Sequence, residues 1–322
     1  MRECGHHTAL YPFVFIIYPF DVMVKKVLWI VFAVGLLALS SSAQTKGPGF
    51  AVTKIGDGVY AALGEDGGVA GSNAGFIVGS NGVAVVDTFT GVAPAKDLLA
   101  EIRKVTNLPI RYVINTHYHL DHVGGNAVFA DAGAIIVAHR NVLGWERTEN
   151  LKFFGPDPKP ERRALVEALV LPNKTYTDKI DLSLGDRGIK VRFMPGHTGG
   201  DSVVFVHDKN TDVVFGGDLV WQKHLPNLID ASTGPWIETL NKLLAEHPKA
   251  TFVSGHGGIA SASDVKDFRD YLVSLRTDIA KAQADGKSGD ELVTAVSAEL
   301  KGAYGNWGFF DHFIKPDITF TA

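Results

Sequence analysis

Asn115-Thr116-His117-Tyr118-His119-Leu120-Asp121-His122 is the stretch on which the reading of this chain turns. Four potential metal ligands fall within six residues, directly after the apolar strand Arg111–Asn115. Histidine and aspartate supply the nitrogen and oxygen donors that zinc accepts in a catalytic site. A continuing strand would send alternate side chains to opposite faces, whereas a loop at its end can turn them all to one side. His117 and His119 flank Tyr118, so both can face one ion, and Asp121 and His122 lie beyond a bend where they can reach a second. Gly124 and Gly125 permit a tight turn into the next helix.

Three more segments have the same construction. Met194-Pro195-Gly196-His197-Thr198 follows the strand Lys190–Met194. Gly216-Gly217-Asp218 follows Asp212–Phe215. Ser254-Gly255-His256-Gly257-Gly258 follows Thr251–Val253. Singly, a His or Asp in a glycine turn is more often structural. Four such turns, each closing an apolar strand, point to one site at a common sheet edge.

Outward from these turns, Ala51–Ile55, Val59–Leu63 and Asn73–Val78 read as short strands, and Asn81-Gly82 as a hairpin turn into the strand Val83–Asp87. Pro94–Val105 has helical apolar spacing with proline in its first turn. Helices are expected at Gly125–Asp131 and Arg140–Asn150, followed by a proline-rich loop over Gly155–Pro160. Strands return at Lys190–Met194, Ser202–His207, Asp212–Phe215 and Thr251–Val253. Helices return at Pro235–Glu246, Ala262–Ala284 and Gly289–Lys301. Two β-rich halves, each followed by helices, suggest an α/β (α+β) four-layer αββα sandwich over residues 44–261, with C-terminal helices over 262–322 packed on it. The aromatic stretch Gly305–His312 is expected to pack the last helix against that sandwich.

With 322 residues, 46% of them hydrophobic and 20% charged, the chain has ordinary globular composition. Its net charge of -4 argues against a nucleic-acid surface. Residues 1–43 read as a leader. From Met23, the expected true start, Lys25 and Lys26 precede the apolar run Val27–Leu39, and small residues precede a cut at Ala43. The run falls short of the ~20 apolar residues a membrane span needs, so export to the periplasm or beyond is expected, without a stable membrane anchor. Cleavage would remove Cys4, the sole cysteine, which excludes cysteine nucleophiles and thiolate ligands from the mature protein.

His117-Tyr118-His119-Leu120-Asp121-His122, then His197, Asp218 and His256 in that order, resemble the metallo-β-lactamase-fold superfamily over roughly Phe50–Ala260. The resemblance implies one metal on His117, His119 and His197 and another on Asp121, His122 and His256, with Asp218 bridging. The implied cofactor is two zinc ions, with iron or manganese as other candidates. Asp87 and Thr116 would support the ligand loop from behind. The implied chemistry is hydrolysis of an ester, thioester, lactone or β-lactam carbonyl of a small molecule by a hydroxide bridging the metals, with Asp121 orienting it or shuttling a proton. Asp218 fits the bridging residue of glyoxalase II-type enzymes; the best-known β-lactamases carry Cys there and Lys at the position of Trp221. The leader and the Gly-His-Gly-Gly turn are most similar to periplasmic lactamase-like hydrolases. A mononuclear iron persulfide dioxygenase and a non-hydrolytic ligand-binding protein are the alternatives. Trp221, His224, Tyr118 and Asn73 are candidate pocket residues. Phe153 and Phe154 are further candidate walls, against a competing reading as ordinary aromatic packing. Oligomeric state is not legible.

Overall fold

The computed structural model describes residues 49–208 and 210–322; the expected leader lies outside them. A meander of β1 (Phe50–Gly56), β2 (Val59–Gly64), β3 (Ala74–Val78) and β4 (Val83–Val86) opens the first sheet, each strand antiparallel to the last. The amphipathic helix α1 (Val92–Val105) then crosses over, burying Pro94, Ala95, Leu98 and Ile102 on one face. The crossover makes the next pairings parallel: β5 (Ile110–Ile114), β6 (Ile135–His139) and β7 (Lys174–Tyr176) complete the sheet in order β1 to β7. Between them lie α2 (Leu120–Val123), α3 (Asn126–Asp131), α4 (Arg140–Lys152) and α5 (Pro160–Glu167).

The second sheet begins with β8 (Lys179–Ser183), β9 (Gly188–Phe193), β10 (Ser202–His207) and β11 (Asp212–Trp221), all antiparallel. Helix α6 (Thr233–Glu246) brings β12 (Thr251–His256) back parallel to β11, and the short β13 (Ile259–Ala260) closes the edge. Three helices follow: α7 (Ala262–Ala284), α8 (Gly289–Tyr304) and α9 (Phe310–Thr321). Ser261 and Asp264 form a reciprocal capping box that starts α7.

Three apolar clusters define four layers. Ile77, Val86, Val204, Phe215 and Val253 fill the space between the sheets. Leu98, Ile102 and Phe129 join the outer helices to the first sheet. Trp236, Phe268, Tyr271, Leu300 and Ile314 join α6 to α9 to the second. This is the αββα sandwich. Inside the last layer the Tyr271 hydroxyl donates to the Asp317 carboxylate at 2.7 Å, tying α9 to α7.

Several elements depart from the sequence reading. β6, β7, β8 and β13 were not expected; β7, β8 and β13 are short or edge strands with little apolar pattern, whereas β6 is an internal apolar run as long as β5 that cannot be told from a buried helical segment by periodicity alone. Helix α5 starts at Pro160, the last residue of the proline-rich loop, where proline sits at the first helical turn. β11 does not end at Phe215 but continues irregularly to Trp221, with register shifts on either side of Gly217. The C-terminal aromatic stretch leads into a further helix, α9, that was not expected, while its Trp307 packs on Tyr304 at the end of α8, centroids 5.0 Å apart.

Candidate metal centre

Asp87 organises the site from the end of β4. It holds φ at 58°, a left-handed conformation that aspartate tolerates better than most residues. Its Oδ1 accepts the Thr116 N–H at 2.8 Å. Its Oδ2 accepts the Thr116 hydroxyl at 2.7 Å and lies 2.8 Å from His122 Nδ1. Thr116 Oγ1, its proton committed to Asp87, lies 3.0 Å from His117 Nδ1 and so accepts from it. Nε2 of both His117 and His122 is thereby left with its lone pair inward. Asp230, on the loop between β11 and α6, lies 3.4 Å from His119 Nε2, which leaves Nδ1 of that ring inward. Behind the loop, Asn115 and Asn126 exchange amide hydrogen bonds at 3.0 Å.

The second sheet delivers the remaining ligands. The turn carrying His197 is pinned by Asp201, whose carboxylate accepts the Thr198 N–H and hydroxyl. Asp218 projects from the irregular part of β11. Gly217 is required just before it: φ is 50°, and a Cβ there would meet Thr116 Oγ1 at 2.5 Å. His256 ends β12, beside Gly255, where a Cβ would fall on the Asp218 carboxylate.

All seven predicted ligands meet. One donor atom from each of His117, His119, His197 and Asp218 lies within 4.8 Å of the others, and Asp121, His122 and His256 form a second such group. Asp218 touches both: its Oδ2 is 3.2 Å from His197 Nε2, 3.9 Å from His117 Nε2 and 3.4 Å from His256 Nε2, and its Oδ1 is 3.0 Å from His122 Nε2. Asp121 Oδ2 is 3.4 Å from His256 Nε2 and 3.7 Å from His122 Nε2. Yet His117 Nε2, His122 Nε2 and Asp218 Oδ1 are buried without an aligned hydrogen-bond partner. Buried polar atoms are almost always satisfied. Buried nitrogen and oxygen donors that converge without aligned hydrogen bonds between them fit shared cations.

The electrostatics divide the histidines into two groups. Burial lowers the pKa of His117 well below its ordinary value, and that of His197 to about 3, keeping both neutral. Burial alone would raise Asp218, but His256, His122, His197 and His117 together hold it well below the usual carboxylate range. His122 is raised well above its ordinary value despite burial, by Asp218, Asp121 and Asp87. His256 is raised too, to about 9 despite burial, by Asp218 and Asp121, so these two imidazoles hold protons against the carboxylates that a divalent metal would displace on binding.

A cavity of about 500 Å³ opens over the cluster, with His119, Asp121, Asp218 and His256 at its floor and Trp221, Phe153 and Phe154 in its walls. Three expected pocket residues point elsewhere. Asn73 donates to Ser254 O and Gly257 O at 2.9 and 2.8 Å, so it holds the His256 turn. The Tyr118 hydroxyl donates to Asp230 at 2.9 Å, behind His119. His224 is buried, lies 2.9 Å from Asp66 Oδ2, and backs Phe309 edge-on at 5.0 Å. In their place Phe309, His312 and Phe313 from the C-terminal segment line the cavity. Asp230 had no signal in the sequence, being a lone aspartate in a loop; the aromatic density of 307–313 was the one clue to the C-terminal wall.

The family model of the metallo-beta-lactamase superfamily matches residues 67–256, which contain every one of these ligands. The chain belongs to the metallo-beta-lactamase superfamily. It is 23% identical over 258 residues to a linear primary-alkylsulfatase of a Pseudomonas strain, covering 67% of this chain but 48% of that one. The chain thus spans about half the length of that relative. It is 27% identical over 197 residues to an acyl-coenzyme A thioesterase of Bos taurus, covering 55% and 68% of the two chains. A solved metallo-beta-lactamase from Pontibacter korlensis superposes with a TM-score of 0.57 at 24% identity, over 70% of this chain and 99% of that one. That likeness concerns the fold. The relatives carry three different substrate names on one architecture, so the superfamily sets the metal centre and leaves the substrate open.

Proposed function

We propose that this protein is a metal-dependent hydrolase with two zinc ions, exported from the cytoplasm, that cleaves an ester, thioester, lactone or lactam carbonyl. The observation that carries the reading is Asp218, whose two carboxylate oxygens reach both ligand groups at once. His117, His119 and His197 would hold one ion, Asp121, His122 and His256 the other, and Asp218 would bridge. Two divalent ions bound there would bring the pKa of a water between them toward neutrality and polarise the scissile carbonyl.

The chain's own residues do the rest. Asp121 is the least buried carboxylate of the cluster, at 31% side-chain exposure, and faces the cavity. It orients the attacking water and passes its proton to the leaving group. Asp87, Thr116 and Asp230 fix the histidine rings so that little reorganises during reaction. Trp221 occupies the position where the best-known β-lactamases carry lysine, and Lys223 is exposed and does not line the cavity, which disfavours a dedicated β-lactamase. The pattern from Met23 to Gln44 supports export.

Metal analysis of the purified protein is expected to give two zinc ions per chain, and His119→Ala to abolish turnover across an ester, lactone, thioester and nitrocefin panel. One bound iron with oxygen consumption would replace this reading with a dioxygenase.

A further inference from the structure

The cavity is apolar to an extent that the metal chemistry does not require. Phe153 meets His119 edge-on at 4.9 Å, and on the opposite side Trp221 stacks on His256 at 4.2 Å and 18°. Phe309 lies 6.2 Å from His256, and Phe313 extends that wall 5.9 Å farther out. Phe309 takes φ of 61°, a left-handed conformation that a bulky side chain adopts only when its surroundings impose it. Those surroundings are explicit. Gly308 donates to Lys223 O and accepts from Leu225 N, both at 2.9 Å, and so fastens the C-terminal segment to the strand end behind Trp221.

Cations are missing from the lining. Beyond the cluster histidines His119 and His256 at its floor, it includes no lysine or arginine, and the walls carry one basic side chain, the exposed His312. Arg162 sits over the Phe154 ring at 5.2 Å but is exposed and not part of the lining. An ionised group drawn into such walls loses water and gains no partner.

We propose that this cavity takes the apolar acyl arm of an uncharged ester, thioester or lactone and discriminates against substrates that carry a carboxylate on that arm. The proposal rests on the hydrolase reading above. Binding energy comes from burying methylene groups between the Phe153 wall and the Trp221–Phe309–Phe313 wall, up to about fourfold in kcat/KM for each methylene until the cavity fills.

The test uses the zinc-loaded full chain with three aryl esters: p-nitrophenyl acetate, p-nitrophenyl octanoate and the mono-p-nitrophenyl ester of suberic acid. The last differs from octanoate in its distal carboxylate. The octanoate is expected to exceed both others in kcat/KM at least tenfold. Phe313→Ala, and independently Phe153→Ala, should reduce the octanoate-to-acetate ratio at least threefold while two ions per chain are retained. Phe313→Lys should raise the suberate ester relative to octanoate. Equal turnover of octanoate and suberate esters, or ratios unchanged in both alanine variants, would overturn the proposal. If the loaded protein cleaves none of them and is also inert on the lactone, thioester and nitrocefin panel, the hydrolase reading fails, and calorimetric binding of methyl octanoate against monomethyl suberate still decides the pocket. A preference for the neutral ester sustains it, and equal binding removes it.

Discussion

Asp87 makes no contact with the cavity, yet three of its hydrogen bonds decide where two ligand histidines point. Its charge and its backbone conformation can be separated experimentally. Asparagine also tolerates a φ near 58°, so Asp87→Asn keeps the turn and removes the charge. His122 loses the carboxylate that holds its Nδ1 proton, and Thr116 loses a strong acceptor. The expected result is a loss of roughly 10- to 100-fold in affinity for one of the two metal ions, measured by competition with a chromophoric chelator. Unchanged affinity for both ions would show that the loop orients His122 without Asp87. Asp230 serves His119 in the same way from a different loop, so Asp87 reaches one histidine of each ligand group and Asp230 adds a second support to the first group.

Helix α4 shows how an element stores a pH dependence. Its inner face carries Val142, Glu146 and Asn150, and Asn150 donates to Tyr118 O at 2.6 Å beneath the ligand loop. Glu146 is fully buried and neither carboxylate oxygen has a partner. Burial raises its pKa to about 8, against a smaller lowering by Arg147. A carboxyl that holds its proton more tightly in the folded state binds more protons there than in the unfolded chain. Its contribution is therefore full below the ordinary value of 4.5 and is lost as pH rises toward 8. The slope is at most about 1.4 kcal/mol per pH unit. Glu146→Gln is expected to match the parent near pH 5, to exceed it in stability at pH 8, and to show a flatter profile between, read by urea unfolding at each pH. Parallel profiles would mean that Glu146 does not titrate across this range.

The two sheets meet at the candidate metal centre, because the first supplies residues 117–122 and the second supplies His197, Asp218 and His256. Ions that bind only the folded chain stabilise it by mass action, about 4 kcal/mol at a thousandfold excess over Kd. Chelation should therefore lower Tm on the order of 10 °C, with recovery on adding zinc, followed by calorimetry. A Tm indifferent to chelator would contradict a metal clip between the sheets. Much of this organisation is legible before folding. The ligand turns announce themselves because each is a local event: an apolar strand, a glycine or proline bend, and a His or Asp at a fixed offset. Strand alternation and turn chemistry act over a few residues, so the sequence alone brought out the candidate ligands and their order, and with the family resemblance the sandwich around them. Its candidate pocket fared less well. Asn73, Tyr118 and His224 lie near ligands along the chain, but their hydrogen bonds turn them into supports, while Phe309 and Phe313 reach the cavity from over fifty residues beyond His256. Which loop faces which is decided by the summed burial of distant surfaces, and no local pattern carries that sum. Tertiary structure alone therefore decided the C-terminal wall of the site and the place of Asp230 behind His119.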